Sequence, residues 1–407
     1  MTLIECFDKS MVKNISGCLH LHPEKVIFLG DGEKMKQPLQ HIQEFLDAQG
    51  LCVQIVSQAV QMDHIAQMTN LLRDVLQQED ACVIDVTGGD ERLMIALGMV
   101  FAQLDAATHS KIVLQKFDPS SSAVLYRNLE GQLLAEHKLT LRVADLIALH
   151  AGVLHPASPQ PDPAHSPRDL DPLWDLARQD PKLWNRQLAI LAEFESRSDS
   201  KTHIVLPLHL IRGGIANFTE KLDMLQDLLR YFRENGIIRD QSHGDFLEYQ
   251  YTSDLNRHCT LKAGNILETK VLLEARAVRE NGAAVFHDCQ LGAHIDWDGV
   301  IHDNLSQIPE TRNEIDLILI KGIVPLFISC KNGDVDEHEL YKLSAVADQF
   351  GGPFAKKLLV ATRLQKKNPL SYQAFVQRAK DMGIYLIENG ADLTPTQWQE
   401  QLQAATI

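Results

Sequence analysis

Short apolar runs alternate with longer amphipathic segments over residues 1–150 of the chain. The runs are apolar throughout and rich in β-branched residues, which is typical of parallel strands covered by helices on both faces. The segments between them carry the pattern of helices. This alternation predicts a doubly wound α/β domain over residues 1–150. The predicted strands are 26–29, 52–56, 82–86 and 112–114, and the predicted helices are 38–48, 64–77 and 91–104.

A proline-rich stretch follows and predicts a linker, because proline neither continues a helix nor pairs in the centre of a sheet. Beyond it, apolar residues recur at helical spacing from Phe218 to Phe232, and two short strands come next, at 236–239 and 246–251. A helix followed by a hairpin resembles a winged helix. A connector that packs two domains together fits the same pattern, so both interpretations of residues 151–257 stay open. The prolines are Pro156, Pro159, Pro161, Pro163 and Pro167.

A third pattern runs over residues 258–407 and mixes the two element types in another order. One helix precedes three strands, and the remaining strands are then separated by helices. This order predicts a mixed sheet flanked by helices. The predicted helices are 262–280, 335–350 and 371–382, and the predicted strands lie near 283–286, 314–320, 325–330, 358–361 and 384–387.

The composition is that of a globular protein of two or three domains, since the 407 residues are 45% hydrophobic and 23% charged. No apolar run approaches the roughly 18 residues that span a bilayer. The N-terminus has neither a basic segment nor a cleavage site of small residues. We therefore expect a cytoplasmic protein without a membrane partner. The seven cysteines occur singly, which argues against a disulfide framework and against structural zinc.

The net charge of −15 argues against a protein that coats nucleic acid, because such binding needs many lysine or arginine contacts to phosphates. A nucleic-acid substrate would have to meet a local basic patch. Residues 356–367 contain no acid and five basic residues, which are Lys356, Lys357, Arg363, Lys366 and Lys367. This stretch is a candidate substrate track, and a solvated surface segment explains it equally well.

Candidate chemistry lies in the third pattern, where an apolar strand carries a single aspartate, Asp316, and the next strand ends in Lys331. An unpaired carboxylate in such a strand costs several kcal/mol unless it meets a metal or a cation. Glu268 lies in the preceding helix. Hydrolysis of a phosphodiester needs a metal that acidifies a water and a cation that holds the developing charge. Oxygen ligands of this kind suit Mg²⁺ or Mn²⁺.

Placed in this order, Glu268, Asp316 and Lys331 resemble the site of the PD-(D/E)xK nuclease superfamily, and the likeness extends over roughly residues 258–390. The superfamily usually has an acid two residues before the lysine, where this chain has Ser329. Either Glu268 and Asp316 hold the metal together with the Cys330 carbonyl, or the site is weak or inactive. A purely structural salt bridge between Asp316 and Lys331 is the competing explanation.

Ligands of a doubly wound sheet bind beyond the carboxyl ends of its strands. Gly30 and Asp31 follow the first predicted strand, and Thr87, Gly88 and Gly89 form a turn between a strand and a helix. The exposed amides of such a turn can approach a phosphate at the helix N-terminus, although an ordinary turn has the same sequence. There is neither a GxGxxG motif nor a Walker lysine, which disfavours a dinucleotide enzyme or an NTPase.

Together with segments 7–10, 14–15 and 23–31, this half resembles a CARF domain. The order of a CARF-like sensor, a connector and a PD-(D/E)xK-like domain resembles the cyclic-oligoadenylate-activated nucleases of type III CRISPR immunity. That resemblance implies a homodimer whose paired sensors bind cyclic tetra-adenylate. It also implies a Mn²⁺- or Mg²⁺-dependent endonuclease for antiviral defence that cuts single-stranded DNA or RNA, or supercoiled DNA.

The same resemblance assigns roles to residues of this chain. Ser10, Thr87, Gly88 and Gly89 would touch the ligand. Lys331, Asp316 and Glu268 would form the catalytic site, with the metal held by Glu268, Asp316 and Cys330. Two other functions stay open: a ligand-sensing, DNA-binding regulator with an inactive nuclease fold, and a repair nuclease that needs no second messenger.

Overall fold

The computed structural model describes residues 1–155, 160–297, 312–333 and 335–407. Pro156 and Pro159 of the predicted linker lie outside these ranges. No helix within the described ranges is long and apolar enough to cross a membrane.

The N-terminal half is a seven-stranded sheet in the order β3-β2-β1-β4-β5-β6-β7. The first five strands in this order are parallel, and β6 and β7 are antiparallel additions at one edge. This arrangement confirms the predicted doubly wound fold. The strands are β1 (Thr2–Cys6), β2 (Lys25–Gly30), β3 (Gln54–Ala59), β4 (Cys82–Asp85), β5 (Ile112–Asp118), β6 (Ala123–Arg127) and β7 (Leu133–Lys138). The helices are α1 (Met11–Leu21), α2 (Gly32–Ala48), α3 (Ile65–Gln78), α4 (Glu91–Phe101), α5 (Ala106–His109) and α6 (Val143–Leu149).

The sequence pattern did not predict β1 and α1, although β1 is the middle one of the five parallel strands. Helix α1 buries Asn14, Ser16 and Gly17, so the apolar periodicity of a packed helix is weak there. Gly17 is required by close packing, since a Cβ on it would lie 2.7 Å from the Gln115 side chain. Strand β3 was predicted, but its burial differs from the prediction. It is an edge strand with a largely exposed face, and it is not buried on both sides.

A pair of carboxyl groups is buried in the centre of this sheet. Glu5 on β1 lies opposite Asp85 on β4 in register, and the two residues are 2% and 1% exposed. Asp85 accepts hydrogen bonds from the Ser16 hydroxyl at 3.2 Å, from the Gln115 amide and from the backbone N–H of Thr87 at 2.6 Å. Burial, followed by the nearby Asp85 charge, raises the pKa of Glu5 well above its ordinary value of 4.5. Burial also raises the pKa of Asp85 to about 6.

This pair makes folding stability fall with rising pH. A carboxyl group that keeps its proton in the folded state and loses it in the unfolded state favours unfolding above its unfolded pKa. We expect Glu5→Gln to reduce this loss, so that its Tm relative to wild type rises steadily from pH 4.5 to pH 8. Thermal unfolding of both proteins at several pH values measures this difference in Tm. Glu79→Gln is the control, because hydrogen bonds from Lys25 and Thr2 outweigh burial and lower the pKa of Glu79. Its contribution to stability is lost mainly below pH 4.5, so its Tm relative to wild type should stay nearly level from pH 4.5 to pH 8. Parallel curves for wild type and Glu5→Gln would contradict the expectation.

The middle of the chain is helical with a small three-stranded antiparallel sheet, in the order β10-β11-β9. The predicted helix and the hairpin after it are confirmed as α10, β10 and β11. The winged-helix interpretation of this segment, like the boundaries 151 and 258, stays a prediction. The elements are α7 (Asp171–Gln179), α8 (Pro181–Glu195), β9 (His203–Pro207), α9 (Leu208–Ile211), α10 (Phe218–Glu234), β10 (Ile238–Asp240) and β11 (Phe246–Tyr251), with 3₁₀ turns at Pro167–Leu170 and Arg212–Gly214.

The C-terminal half contains a mixed sheet in the order β18-β17-β16-β15-β14-β8 among the described residues. Strand β8 (Val153–Leu154) follows the N-terminal half in sequence and pairs with β14. Helices cover both faces, which confirms the second half of the predicted fold class. The elements are α11 (Asp254–Leu261), α12 (Asn265–Ala277), β12 (Arg279–Glu280), β13 (Ala283–Ala284), β14 (Asp288–Asp296), β15 (Arg312–Lys321), β16 (Val324–Lys331), α13 (His338–Gly351), β17 (Lys356–Ala361), α14 (Pro369–Asp381), β18 (Ile384–Ile387) and α15 (Pro395–Ala404), with 3₁₀ turns at Gly352–Phe354 and Gly390–Asp392.

The two sheets are joined by a shared apolar core and by contacts at the turn between β15 and β16. The Leu141 N–H donates to the Gly322 carbonyl at 2.9 Å, and the Ser122 hydroxyl donates to the Lys321 carbonyl at 3.1 Å. The Phe117 and Phe354 rings meet edge to face with centroids 5.3 Å apart. The N-terminal half therefore holds the hairpin whose strands carry Asp316 and Lys331.

Candidate active site and ligand cavity

Asp316 lies where the strand pairing around β15 is interrupted. The ladder between β15 and β16 runs from Lys321↔Val324 to Leu317↔Ile328 and stops before Asp316. On the other side, the register passes from Leu291↔Leu317 to Ala293↔Ile315. The side chain takes the place of the backbone ladder, since its Oδ2 accepts from the Cys330 N–H at 2.6 Å and from the Ser329 hydroxyl at 3.2 Å. The carboxylate is thereby fixed between the ends of two strands.

Burial raises the pKa of Asp316, although the Cys330 N–H and the Lys331 charge both favour the ionised form. Lys331 is half-buried at the end of β16. Burial alone would lower its pKa, yet the charges of Asp316 and Glu339 raise it above its ordinary value of 10.5. Lys331 is therefore a fixed positive charge close to Asp316. Among the described residues, its Nζ forms an ion pair with Glu339 Oε2 at 3.0 Å.

Glu268 lies in the first turn of α12, a helix that is buried on nearly all sides. Burial raises its pKa to about 8, and the charges of Asp316 and Glu314 add to the effect, while Lys262 and Lys331 oppose it. The structure thus brings all three predicted catalytic residues into one electrostatic neighbourhood. Their assignment as catalytic residues stays a prediction.

The predicted metal ligands suit a hard divalent cation by their chemistry. Carboxylates from Glu268 and Asp316 and the backbone carbonyl of Cys330 offer oxygen, which Mg²⁺ and Mn²⁺ prefer. Burial, with a smaller contribution from the charges of Asp316 and Glu314, raises the pKa of Glu268, and a bound divalent cation would favour its ionised form. Within the described ranges, no group of three or more His, Cys, Asp and Glu side chains is placed to hold a metal ion. The ligand set therefore stays a prediction.

Three further charged residues belong to this neighbourhood and are not among the predicted site residues. Glu314, Glu339 and Lys342 line a small cavity of about 10 Å³ together with Asp316 and Ser329. Glu339 and Lys342 are one turn apart at the start of α13, where acidic residues ordinarily complement the helix dipole. Their sequence carries no signal that separates a site residue from a helix-start residue, and only the packing of α13 on β16 brings them here.

The predicted basic stretch does not form one patch. Lys356 and Lys357 lie at the start of β17, beside Leu326 and Phe327 of its parallel neighbour β16. Arg363 and Lys366 follow the other end of β17, next to Lys331, which pairs with Ala361. Lys366 lies over the Phe375 ring with its Nζ 3.8 Å from the centroid. Only the second group is at the same end of the sheet as the candidate site.

The predicted ligand turn is held by two aspartates. Asp85 accepts from the Thr87 N–H at 2.6 Å, and Asp8 accepts from the Gly89 N–H at 3.0 Å. The Thr87 hydroxyl in turn accepts from the Phe117 N–H at 2.8 Å. Gly88 packs so closely on Asp8 that a Cβ would lie 2.7 Å from its Oδ2. The turn is therefore tied to β1, β4 and β5 at the carboxyl edge of the parallel strands.

A cavity of about 740 Å³ opens at this edge. Among the predicted ligand residues, Gly89 is in its lining. Three cations, Lys9, Lys34 and Arg92, also line it, and sequence reasoning did not select them as ligand contacts. Lys34 pairs with Asp31 at 3.1 Å, and Arg92 is bonded to Asp63 and Asp90. The lining also contains four aspartates, so a phosphate bound here would have to compete with these acids for Lys34 and Arg92.

Ser10 lies close to Gly352, just after α13. Its side chain is buried, and its hydroxyl has no hydrogen-bond partner among the described residues. The position of a Cβ on Gly352 would be 3.6 Å from this hydroxyl and 3.6 Å from His150 Nε2. Ser10 thus lies between the first loop of the N-terminal half and the end of α13. Its predicted ligand contact stays untested.

The sequence matches no protein-family model and no curated protein. The structure, in contrast, matches solved structures over its whole length. Protein VC1899 from Vibrio cholerae superposes with a TM-score of 0.69 at 18% identity, covering 100% of this chain and 97% of that chain. Can2 from Sulfobacillus thermosulfidooxidans, solved in complex with cyclic tetra-adenylate, superposes with a TM-score of 0.63 at 18% identity, covering 100% and 99%.

A third structure, described as a type III CRISPR defence DNA nuclease activated by cyclic oligoadenylate, covers 91% of this chain and 46% of its own. Its TM-score of 0.46, at 17% identity, is too low to establish a shared fold.

The fold defines a two-part α/β protein in which a Rossmann-like domain and a mixed-sheet domain share a core. It is the fold of VC1899 and of Can2 along the entire chain, and the predicted resemblance is confirmed at the level of fold.

Proposed function

We propose that the protein is an endonuclease that is activated by cyclic tetra-adenylate, depends on Mn²⁺ or Mg²⁺, and serves type III CRISPR defence against viruses. The observation that carries the proposal is the position of Asp316 and Lys331 at the interrupted end of the β15–β16 hairpin, beside Glu268. Support for the activator comes from the full-length likeness in fold to Can2, whose structure was solved with cyclic tetra-adenylate.

The residues of the site have separate roles in this proposal. Glu268 and Asp316, with the Cys330 carbonyl, would hold the divalent ion. When bound, that ion would polarise the phosphate and acidify a water. Lys331, kept charged by its acidic neighbours, stabilises the negative charge that develops during hydrolysis. Ser329 and the Cys330 N–H orient Asp316 through hydrogen bonds.

The sensor half supplies the regulation. The 740 Å³ cavity, with Gly89 and three cations in its lining, is the proposed place of the activator's phosphates. A cyclic ligand with four identical units matches a two-fold axis, so we propose a homodimer with paired cavities. The ligand shifts activity by binding one arrangement of the dimer more tightly than another.

The test is a cleavage assay on single-stranded DNA, single-stranded RNA and supercoiled DNA with Mn²⁺, each with and without cyclic tetra-adenylate. We expect cutting only when both metal and ligand are present, and a loss of about 100- to 1000-fold for Lys331→Ala. The control is Lys357→Ala, which removes a lysine at the far end of the same sheet, where it pairs with Asp348. Absence of cutting on every substrate, with a duplex-specific gel shift, would overturn the proposal.

One observation favours a second candidate, a ligand-sensing regulator that binds DNA. Ser329 occupies the position of the usual second acid, and its hydroxyl contributes no charge. In that function the segment from α10 to β11 contacts DNA and the mixed sheet only supports it. Ligand-dependent DNA binding without cleavage distinguishes the regulator. Cleavage that ignores the ligand would instead favour the repair nuclease.

A further inference from the structure

We propose that Glu339 is a third acidic group of the active site, beside Glu268 and Asp316, and takes over the role of the acid that Ser329 replaces. This inference rests on the proposed nuclease function and assigns one more residue to that site. Glu339 acts on Lys331 and on the charge of the metal position.

The departure at Ser329 leaves the β16 strand without a carboxylate. Ser329 is 6% exposed, and its hydroxyl is already engaged with Asp316 Oδ2 at 3.2 Å. It positions Asp316 and offers no negative charge. If the site has a third acid beside Glu268 and Asp316, that acid must therefore come from another element.

Glu339 is suited to that role because it contacts Lys331 and because its helix holds it in place. Its Oε2 lies 3.0 Å from Lys331 Nζ, so it contacts the lysine of the motif directly. Its direction is also fixed, because the next residue, Leu340, and Leu343 are buried in the core under α13. A carboxylate at the start of a packed helix reaches the end of β16 without any rearrangement of the strand.

The cavity beside Asp316 places Glu339 on the correct side of the site. Glu339, Asp316 and Ser329 line the same space of about 10 Å³. A space of that size holds about one water molecule, so the residues that line it lie close together. The charge of Glu339 therefore acts where the acid of position 329 would act.

The neighbouring acids are committed elsewhere. Glu337 pairs with Arg378, and Asp336 accepts from the His338 N–H at 3.1 Å. Glu314 lines the cavity, but its side chain is 47% exposed and lies 4.0 Å from His294. Of these residues, Glu339 is the one that touches Lys331.

The experiment compares four variants of the full-length chain for cleavage and for Mn²⁺ binding by titration calorimetry without substrate. We expect Glu339→Gln to cut about 100-fold more slowly and to bind Mn²⁺ about 10-fold more weakly. Ser329→Asp in the Glu339→Gln background should restore most of both, because it returns an acid to the strand. Glu337→Gln is the matched control and should equal wild type.

Each outcome decides the inference. Wild-type rates and wild-type Mn²⁺ affinity in Glu339→Gln would overturn it. A second result would also overturn it: Ser329→Asp fails to rescue the loss of activity, and Glu339→Asp cuts no faster than Glu339→Gln. Glu339→Asp keeps the charge, so it remains informative if the double variant unfolds, which a thermal melt detects. If wild type does not cut at all, the proposed function fails by itself, and the Mn²⁺ titration still decides the role of Glu339.

Discussion

Asp316→Asn is expected to reduce ligand-activated cleavage by at least about 100-fold, which corresponds to about 3 kcal/mol of transition-state stabilisation. The substitution keeps the shape of the side chain and one oxygen that can accept from the Cys330 N–H. It removes the charge that faces Lys331 and Glu268. Since a neutral amide is a poor ligand for a hard divalent ion, the loss should appear in the chemical step and in Mn²⁺ affinity.

Binding of cyclic tetra-adenylate should be unchanged in Asp316→Asn, because Asp316 lies in the C-terminal sheet and the ligand cavity is lined by the N-terminal half. Asp348→Asn is the matched control, since Asp348 pairs with Lys357 at the far end of α13 and β17. Single-turnover cleavage and calorimetry with each ligand separate the effects. Full activity of Asp316→Asn would remove Asp316 from the site and leave the nuclease proposal without its central acid.

Much of the fold was predictable because its strands are continuous apolar runs. Strand β16 and its neighbour β15 were found within two residues of their ends for this reason. Strand β14 was missed because Asp288–Asp296 is not a continuous apolar run, although its apolar residues alternate with Gln290, Gly292 and His294. Helix α15 was missed as well, because it buries only Trp398 and Leu402 and so presents little apolar periodicity.

The candidate site was predictable only where a charged residue lies in a segment that is otherwise apolar. A charged residue inside an apolar strand, such as Asp316, carries a signal because burial without a partner is costly. Glu339 carries none, since an acid in the first turn of a helix is common for reasons of the helix dipole. Its role depends on how α13 packs against β16, and that packing follows from the whole core.

The ligand cavity shows the same limit. Gly88 and Gly89 were selected because small residues in a turn permit close approach. Asp8 holds Gly89 from 81 positions earlier in the chain, and no local pattern reports that contact. Lys9, Lys34 and Arg92 come from three separate segments that meet only at the carboxyl edge of the sheet.

Gly89→Ala is expected to abolish activation, with cyclic tetra-adenylate binding weakened at least about 100-fold, or about 3 kcal/mol. Gly89 has φ +109°, a conformation that L residues rarely adopt, and a Cβ would lie 2.5 Å from Cys6 Cβ and 3.1 Å from the Cys6 carbonyl. Cys6 is the last residue of the fully buried strand β1, which has little room to move. The turn must therefore move, and the backbone N–H of residue 89 loses its hydrogen bond to Asp8, which also lines the cavity.

Gly98→Ala is the matched control, because Gly98 lies in the helix that follows the same turn and a Cβ there meets nothing within 4 Å. Alanine should stabilise that helix by up to about 1 kcal/mol and leave ligand binding intact. Calorimetry measures binding of the ligand, and a thermal melt reports whether Gly89→Ala remains folded. Wild-type affinity in a folded Gly89→Ala variant would show that the activator binds away from this turn, and the cavity would then lose its proposed role.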